Sequence, residues 1–352
     1  MAERADGTAG GAVAAPGGRR RRRSRLVRRL LIGLVVLSLA AGVVLWFNRD
    51  RLTVPPEGCR ITTAAGSGTL DLEQAANAAT IASVALSRGL PERAVTIALA
   101  TAMQESKLHN LEGGDRDSIG LFQQRPSQGW GTAQQIQDPV YATNKFLDGL
   151  VKVPGYARMP LTDAAQQVQK SGYPQAYAKH ESNATLVSSV LTGREPAALN
   201  CVVHELADPA AAASAASPAA SSGTAAAAGT PAAAPPSSPA RRSQDVTERV
   251  RREFGRVVAV GPAAPAAKDA RPVLALSPQA SASAGAGPEA LRQSGWAVAQ
   301  WAVAQAQELG IGAVAYDGKV WRFDRPSDGW RPQAENAPAD RVLVTLGAPA
   351  KA

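Results

Sequence analysis

Residues 98–106, Ala-Leu-Ala-Thr-Ala-Met-Gln-Glu-Ser, and residues 118–124, Ser-Ile-Gly-Leu-Phe-Gln-Gln, decide how the central part of this chain is interpreted. Glu105 ends an apolar helical pattern whose small residues leave room beside its carboxylate. Gly120 permits a tight turn, and Gln123 and Gln124 bring amide donors for sugar hydroxyls. Burial disfavours the charged form of a carboxylate and so favours the protonated form. The protonated form can act as the general acid that sugar cleavage needs. The pairing predicts glycan chemistry, whereas Glu105 taken alone is also typical of a solvated helix end.

The positive charge is concentrated near the N-terminus. The chain has 38 Lys and Arg against 29 Asp and Glu, and eight of the arginines lie between positions 19 and 29. The remainder is close to neutral, so no basic groove is left to follow a phosphate backbone. We therefore expect no nucleic-acid partner.

An uncharged apolar run, Leu30 to Phe47, follows the arginines and is about the ~20 residues that span a bilayer. The positive-inside bias predicts a type II anchor in the cell membrane, with residues 1–29 as a cytoplasmic tail and residues 30–47 as a transmembrane helix. The later residues are then extracytoplasmic and the bilayer is a partner. The alternative is a cleaved signal peptide, although no small-residue cleavage site follows Phe47.

Cys59 and Cys201 are the two cysteines, and they bracket one segment. In an oxidising compartment such a pair predicts a disulfide, and the alternative is two free thiols. They do not predict a metal site, because four ligands are needed and the histidines are scattered. We expect no cofactor.

The pattern divides the exported part into a mainly α domain at 59–201, an Ala/Pro/Ser-rich linker at 202–287 that is largely disordered, and a small α+β module at 288–347. Helices are predicted over 71–88, from Pro91 to Ser106, after the N-cap pair Asp138-Pro139, over 162–170, over 174–191 and over 245–254. Strand-like runs are almost absent from the first domain. In the last module strands are predicted at 313–316, 320–323 and 342–346, with an Asp317-Gly318 hairpin turn.

The two opening stretches, followed by a helix with Asn144 and Leu147, resemble the lysozyme-like transglycosylase family, which includes soluble lytic transglycosylases and goose-type lysozymes. The resemblance covers about residues 70–192 and implies a lysozyme-like fold. It implies that Glu105 is the acid/base and that Ser106 is its neighbour. It further implies that Gly120, Leu121 and Gln123 form the turn that lines the glycan groove.

Other residues are candidates for the same groove. The family carries a late Ala-Tyr-Asn-like motif, whereas this chain has Val-Gln-Lys-Ser-Gly-Tyr-Pro at 168–174 and then Tyr177. The further substrate-binding candidates are Ser118, Gln124, Trp130, Gln169, Ser171, Tyr173 and Tyr177, for which ordinary packing is the alternative. Asp115 and Asp117 are the candidates for a second carboxylate, which an inverting hydrolase would need. Their loop looks solvated, which favours a single-acid transglycosylase.

The last module, in Trp-Ala-Val-Ala-Gln-Trp at 296–301 and onward to Phe323, is similar to the last part of a domain related to the zinc D-Ala-D-Ala peptidases of the M15 type. That family implies His and Asp zinc ligands, but residues 341–344 are Arg-Val-Leu-Val and the histidines lie upstream. We therefore predict a non-catalytic remnant with no metal.

Two hypotheses follow. In the first, the chain is a membrane-anchored enzyme that cleaves the glycan strands of peptidoglycan, as a lytic transglycosylase or, as second choice, an N-acetylmuramidase. In the second, it is a non-catalytic wall-binding or scaffold protein with a lysozyme-like fold. Protein partners and oligomeric state are not predicted.

Overall fold

The computed structural model describes residues 18–52, 55–206, 239–263, 271–279, 287–333 and 337–347. They belong to two compact units, residues 1–55 and residues 56–352. The predicted linker falls largely on residues 207–238, 264–270 and 280–286, which lie outside the described residues.

The first unit contains helix α1, Gly18–Leu52. Across the described part of the chain, no helix combines the length and the apolar character that crossing a bilayer requires. The predicted transmembrane helix over Leu30 to Phe47 is therefore wrong. The apolar run is the middle of a longer helix, which begins within the arginine cluster and continues past Arg49 and Arg51.

The second unit is built from nine described helices and two described antiparallel sheets. The helices are α2 (Leu72–Ser87), α3 (Glu92–Ser106), α4 (Ala133–Ile136), α5 (Pro139–Leu150), α6 (Leu161–Gln169), α7 (Glu181–Leu191), α8 (Pro239–Phe254), α9 (Pro288–Ala304) and α10 (Ala306–Leu309). Short 3-10 helices lie at Pro126–Gln128, Pro174–His180 and Pro326–Asp328.

The strands form a three-stranded and a six-stranded sheet. They are β1 (Gly58–Thr63), β2 (Gly66–Leu70), β3 (Leu199–Val202), β4 (Val258–Pro262), β5 (Val273–Pro278), β6 (Ile311–Tyr316), β7 (Lys319–Arg322), β8 (Arg331–Pro332) and β9 (Val342–Leu346). The strand orders are β2-β1-β3 and β4-β5-β9-β6-β7-β8, with antiparallel neighbours throughout.

Local sequence signals explain where the helices begin. Asp71 caps α2 in a capping box with Gln74, and Asp138 caps α5 by accepting a hydrogen bond from the backbone N–H of Val140. The predicted helices starting at these two caps are confirmed. The predicted helix over 174–191 is instead a 3-10 helix followed by α7, because the chain enters it through the Tyr173-Pro174 bend.

The three-stranded sheet was not predicted. Strand β1 pairs with β2 through a tight connection and with β3 from the far end of the segment, and Cys59 stands opposite Cys201 in that second pairing. Strands β1 and β2 are rich in Gly and Thr and have few apolar residues, and β3 is only four residues long, so the local pattern was weak evidence of this sheet. The pairing depends on a contact between distant parts of the chain.

The C-terminal elements share one core with the helix-rich segment, which differs from the expected tethered module. Trp296, Trp301 and Trp321 are fully buried in the same apolar cluster as Leu99 and Phe146. Buried polar groups complete the junction. The Gln300 side chain accepts hydrogen bonds from the backbone N–H groups of Ala198 and Leu199, at 2.9 and 3.0 Å, and donates to Val190 O at 2.6 Å. Helix α9 is therefore an integral part of the second unit.

Candidate active site

Glu105 lies one residue before the end of α3 and is partly buried. Its Oε1 accepts a hydrogen bond from the Tyr177 hydroxyl at 2.7 Å. Within the described residues, no other side chain or backbone group bonds to this carboxylate, so Oε2 is left without a protein partner. The site therefore holds the acid by one oxygen and leaves the other available.

Tyr177 comes from the 3-10 helix Pro174–His180 and is fully buried. Burial, reinforced by the neighbouring negative charge of Glu105, raises the pKa of Tyr177 far above its ordinary value. The phenol therefore stays protonated and acts as a donor toward Glu105. Of the predicted groove residues, Tyr177 is the one that directly contacts the predicted acid.

Ser106 joins the end of α3 to the glycine turn. Its buried hydroxyl lies 2.7 Å from the carbonyl oxygen of Leu121 and 3.0 Å from that of Ala102. The turn itself is closed by reciprocal backbone hydrogen bonds of 3.0 Å between Ile119 and Gln124. Glu105 and the turn are thus held together through the adjacent residue Ser106.

Gly120 is required at this turn for two reasons. It has a φ of +76°, which L side chains rarely adopt, and an added Cβ would lie 2.8 Å from the carbonyl oxygen of Ile136. Its backbone N–H donates to Leu111 O at 2.7 Å. The close approach fixes the turn against the segment that leads into α5.

The amide side chains of the turn bond to the protein itself. Gln123 donates to Gly120 O at 3.2 Å, and the buried Gln124 donates to Ala142 O at 3.1 Å. Gln169 reaches from α6 and donates to Phe122 O at 2.8 Å. These amide nitrogens therefore brace the turn, and each uses one of its two N–H donors to do so.

The remaining groove candidates differ in exposure. Ser118 and Leu121 are buried, and Trp130 is partly buried and packs against the core. The Trp130 carbonyl accepts a hydrogen bond from the Tyr141 hydroxyl at 3.2 Å. Tyr173 is 80% exposed, which leaves its ring open to stack on a ligand. Its backbone N–H bonds to Ser171 Oγ at 3.2 Å, so this bend also positions the start of the Tyr177 helix.

The two candidates for a second carboxylate are placed differently. Asp117 accepts hydrogen bonds from Arg125 Nε at 2.6 Å and from Ser127 N at 2.8 Å, and the Ser127 and Arg125 hydrogen bonds hold its pKa well below its ordinary value. Asp115 is exposed in the loop. Neither side chain contacts Glu105 among the described interactions.

One contact beside the acid was not predicted. His180 Nε2 lies 3.1 Å from Gln104 Oε1, and burial lowers the pKa of His180. Tyr177 and His180 are three residues apart, and the period of a 3-10 helix brings such residues onto one face. The two side chains therefore meet the consecutive residues Gln104 and Glu105 of α3. The spacing of three residues between Tyr177 and His180 was the available signal, because it places both on one face of a helical segment.

The predicted disulfide is present. Cys59 and Cys201 are bonded at an S–S distance of 2.02 Å and join β1 to β3. In the C-terminal part, residues 342–344 lie in β9, within the six-stranded sheet. Throughout the described ranges, no group of three or more His, Cys, Asp or Glu residues is arranged to hold a metal ion.

Comparison with known families gives one partial match. Residues 280–341 match the family model described as VldE, C-terminal domain. This stretch contains α9, α10 and strands β6 to β8. No curated protein matches the chain. The family match thus concerns the C-terminal region and does not extend to the segment that carries Glu105.

Proposed function

We propose that this chain is a lytic transglycosylase that cleaves the glycan strands of peptidoglycan, with Glu105 as its single acid/base. The observation that carries the proposal is the Glu105 carboxylate, held at Oε1 by the buried Tyr177 hydroxyl and free of protein contacts at Oε2 within the described structure. The braced glycine turn beside Ser106 supports it. One oriented carboxylate beside a shaped turn is what acid cleavage of a sugar acetal requires.

The chemistry divides into two proton transfers. First, protonated Glu105 gives its proton from Oε2 to the glycosidic oxygen, and the C1–O bond breaks. The Tyr177 O–H then stabilises the carboxylate that remains, because hydrogen-bond donation favours the charged form. Glu105 next takes the proton of the sugar's own 6-hydroxyl as that oxygen bonds to C1. The product is a 1,6-anhydro end, and no water is consumed.

An N-acetylmuramidase is the second choice within this enzyme class. An inverting hydrolase needs a second carboxylate to activate water. Asp117 is engaged by Arg125 and Ser127, and Asp115 is exposed, which favours the single-acid route. Mass spectrometry of the released muropeptides distinguishes a transglycosylase from a muramidase. Anhydro ends support the transglycosylase, and reducing ends support the muramidase.

We propose that the enzyme works in an oxidising, extracytoplasmic compartment. The Cys59–Cys201 bridge supports this location, because disulfides persist in such compartments and are rare in reducing cytosol. Peptidoglycan in such a compartment is then accessible to the second unit.

The decisive test replaces Glu105 by Gln, which keeps the shape and removes the transferable proton. We expect the release of muropeptides from purified cell wall to fall by about 10²- to 10⁴-fold. Glu112→Gln, in an exposed loop, is the matched control and should keep full activity. Equal activity of wild type and Glu105→Gln would exclude Glu105 as the acid.

The second candidate function is a non-catalytic wall-binding or scaffold protein. The internal hydrogen bonds of Gln123 and Gln124 favour it, because they leave fewer amide donors for sugars. If wild type binds cell wall but neither it nor Glu105→Gln releases muropeptides, the scaffold function stands.

A further inference from the structure

A cavity of about 490 Å³ opens between strand β2 and the end of α3. Its floor is apolar, with Met103, Leu108 and Val187 among its lining residues, and its rim is polar. Gly68 of β2 packs close to Leu186 of α7, since an added Cβ there would lie 3.4 Å from the Leu186 side chain. The hairpin thus forms one wall, and the helices form the other.

The charge of this cavity is one-sided. Lys107 lines it and supplies positive charge, whereas burial lowers the pKa of the lining His180 and favours its neutral form, and none of the described lining residues is acidic. Asp71, the nearby cap of α2, is turned to the Gln74 backbone and to His109. An ammonium group at the rim, without a local carboxylate to neutralise it, favours an anionic ligand.

Several polar groups of the rim are uncommitted. The side chains of Ser67, Thr69, Lys107 and Asn183 make no hydrogen bond or ion pair within the described part of the chain. Three of them supply neutral donors and acceptors, and Lys107 supplies three N–H donors. This combination suits a ligand that carries both amide groups and a carboxylate, as a short peptide does.

The cavity adjoins the proposed catalytic groove. His180 lines the cavity and contacts Gln104, the residue before Glu105. Tyr177, on the same 3-10 helix, contacts Glu105 itself. Met103 and Lys107, two residues before and two residues after Glu105, both line the cavity, so the cavity lies at the same end of α3 as the carboxylate.

We propose that this cavity binds the carboxylate-bearing peptide attached to the glycan strand, with Lys107 as the residue that pairs with its carboxylate. The inference rests on the proposed function for the identity of the substrate. It makes the cavity a specificity site that selects strands carrying peptides over bare glycan. Lys107 contacts the ligand and takes no part in the proton transfers.

Binding is tested first, without any cleavage. The probe is a synthetic tetrapeptide with a side-chain and a C-terminal carboxylate, titrated against the full-length chain by calorimetry. We expect Lys107→Glu to weaken binding by at least about tenfold, and Lys107→Gln to weaken it less. The amidated tetrapeptide should bind wild type about as weakly as the acid form binds Lys107→Gln, because both changes remove the charge pair without adding a repulsion. Lys152→Glu, in the exposed turn after α5, is the control and should bind as wild type does.

Cleavage is tested second, with peptide-bearing strands and with strands from which the peptides have been removed. Lys107→Glu should raise KM for the first substrate and leave cleavage of the second unchanged. The inference is overturned if the tetrapeptide does not bind wild type, or if the Lys107 variants bind it unchanged. It is also overturned if both substrates are affected alike. If the peptide binds in a way that depends on Lys107 but the chain cleaves neither substrate, the proposed function is wrong and the cavity is still a peptide-binding site.

Discussion

The hydroxyl of Tyr177 is the group on which the geometry of Glu105 depends. Tyr177→Phe removes the 2.7 Å hydrogen bond and keeps the buried ring. We expect kcat for glycan cleavage to fall by about 10- to 100-fold with a small change in KM, because a misplaced catalytic group costs rate more than binding. Steady-state assays on soluble glycan strands measure both constants.

The pH dependence of this variant separates positioning from proton transfer. Burial keeps the pKa of Tyr177 far above its ordinary value, so its proton stays on through the neutral range. The ratio of wild-type to Tyr177→Phe activity should therefore be constant between about pH 7 and pH 9, a range that lies above the ordinary titration of a carboxyl group and below that of a phenol. A ratio that changes with pH in this range would show that Tyr177 itself transfers a proton.

At this scale the sequence named Glu105 and Tyr177 as candidates, and the structure shows a hydrogen bond between them, but the sequence did not predict how the amide side chains are used. Glu105 and Tyr177 are brought together, and both were on the list of candidates. Gln123 and Gln124 looked like groove donors because amide side chains after a glycine commonly face solvent. Their nitrogens instead bond to Gly120 O and Ala142 O, and that choice depends on the position of α5, which local sequence does not specify.

The glycine turn is the element that shapes the site. Gly120 in this turn and the nearby Gly129 offer a matched pair for substitution. Gly120 and Gly129 have nearly the same φ, +76° and +78°, but only an added Cβ at Gly120 meets another atom, at 2.8 Å. Gly129→Ala should cost about 1 kcal/mol for backbone strain alone. Gly120→Ala should cost about 2–4 kcal/mol and also lower activity.

Chemical denaturation measures both values in the same buffer. If the two alanine variants are equally destabilised, the contact between the added Cβ at position 120 and Ile136 O makes no contribution to the free energy of unfolding. The turn would then depend on backbone conformation alone.

Helix α8 is attached through a buried carboxylate, and this too can be tested. Glu253 is fully buried and accepts hydrogen bonds from Thr80 at 3.0 Å, Ser83 at 2.8 Å and Trp301 at 2.6 Å. Glu253→Gln puts an amide N–H₂ where one of these donors points. At pH 5 we expect a loss of about 1–3 kcal/mol in the free energy of unfolding. Glu248→Gln, exposed on the same helix, should change it by less than about 0.5 kcal/mol.

The sign of the pH effect follows from the burial of Glu253. Burial raises its pKa, so the folded state keeps this proton when the unfolded state has released it. Wild type should therefore lose stability relative to Glu253→Gln as the pH rises above about 4.3. Arg249 Nη1 lies 3.3 Å from Glu253 Oε1. A stability advantage of wild type that grows with pH would mean that this ion pair and the hydrogen bonds to Glu253 outweigh the burial.

Elements with a local signal were predicted, and elements made by distant pairing were not. Asp138-Pro139 marks the start of α5, and Asp317-Gly318 forms the turn between β6 and β7 with φ values of 48° and 73°. Strands β4 and β5 lie in stretches rich in Ala, Gly and Pro, and β5 is paired with β9 from far along the chain. Their short runs carry too few large side chains to predict a strand.

At the scale of the whole molecule, the C-terminal region is needed to close the core of the second unit. Trp296 and Trp301 of α9 are buried with the apolar residues of α2, and Gln305 donates to Ala76 O at 3.1 Å. A fragment of residues 56–206 would expose this face and leave buried polar groups unpaired. We expect it to lose cooperative thermal unfolding and to aggregate.

The matched fragment is residues 56–352, which keeps the second compact unit entire. It should unfold in one cooperative transition and retain the activity of the full chain on soluble strands. Differential scanning calorimetry compares the two fragments. Cooperative unfolding of residues 56–206 would show that the helix-rich segment folds alone, as the division from sequence had expected.

The predicted division into two modules followed composition, and the structure differs from it for a physical reason. The Ala-, Pro- and Ser-rich stretch around 207–240 separates two patterned regions in sequence and thereby suggests two modules. What joins the regions is a set of buried polar side chains, Glu253, Gln300 and Gln305, which a residue pattern assigns to the surface. Most of their partners, such as Thr80, Val190 and Ala76, lie more than a hundred residues away in the chain.

The bridge between Cys59 and Cys201 turns the helix-rich segment into a covalent ring that includes Glu105, the glycine turn and Tyr177. A ring cut once is still one piece. Under oxidising conditions, a protease that nicks an exposed loop of this segment, such as the one holding Asp115, therefore leaves both halves of the proposed groove tethered to the same molecule. Two breaks, or one break and a reductant, are needed before any part of the groove can diffuse away.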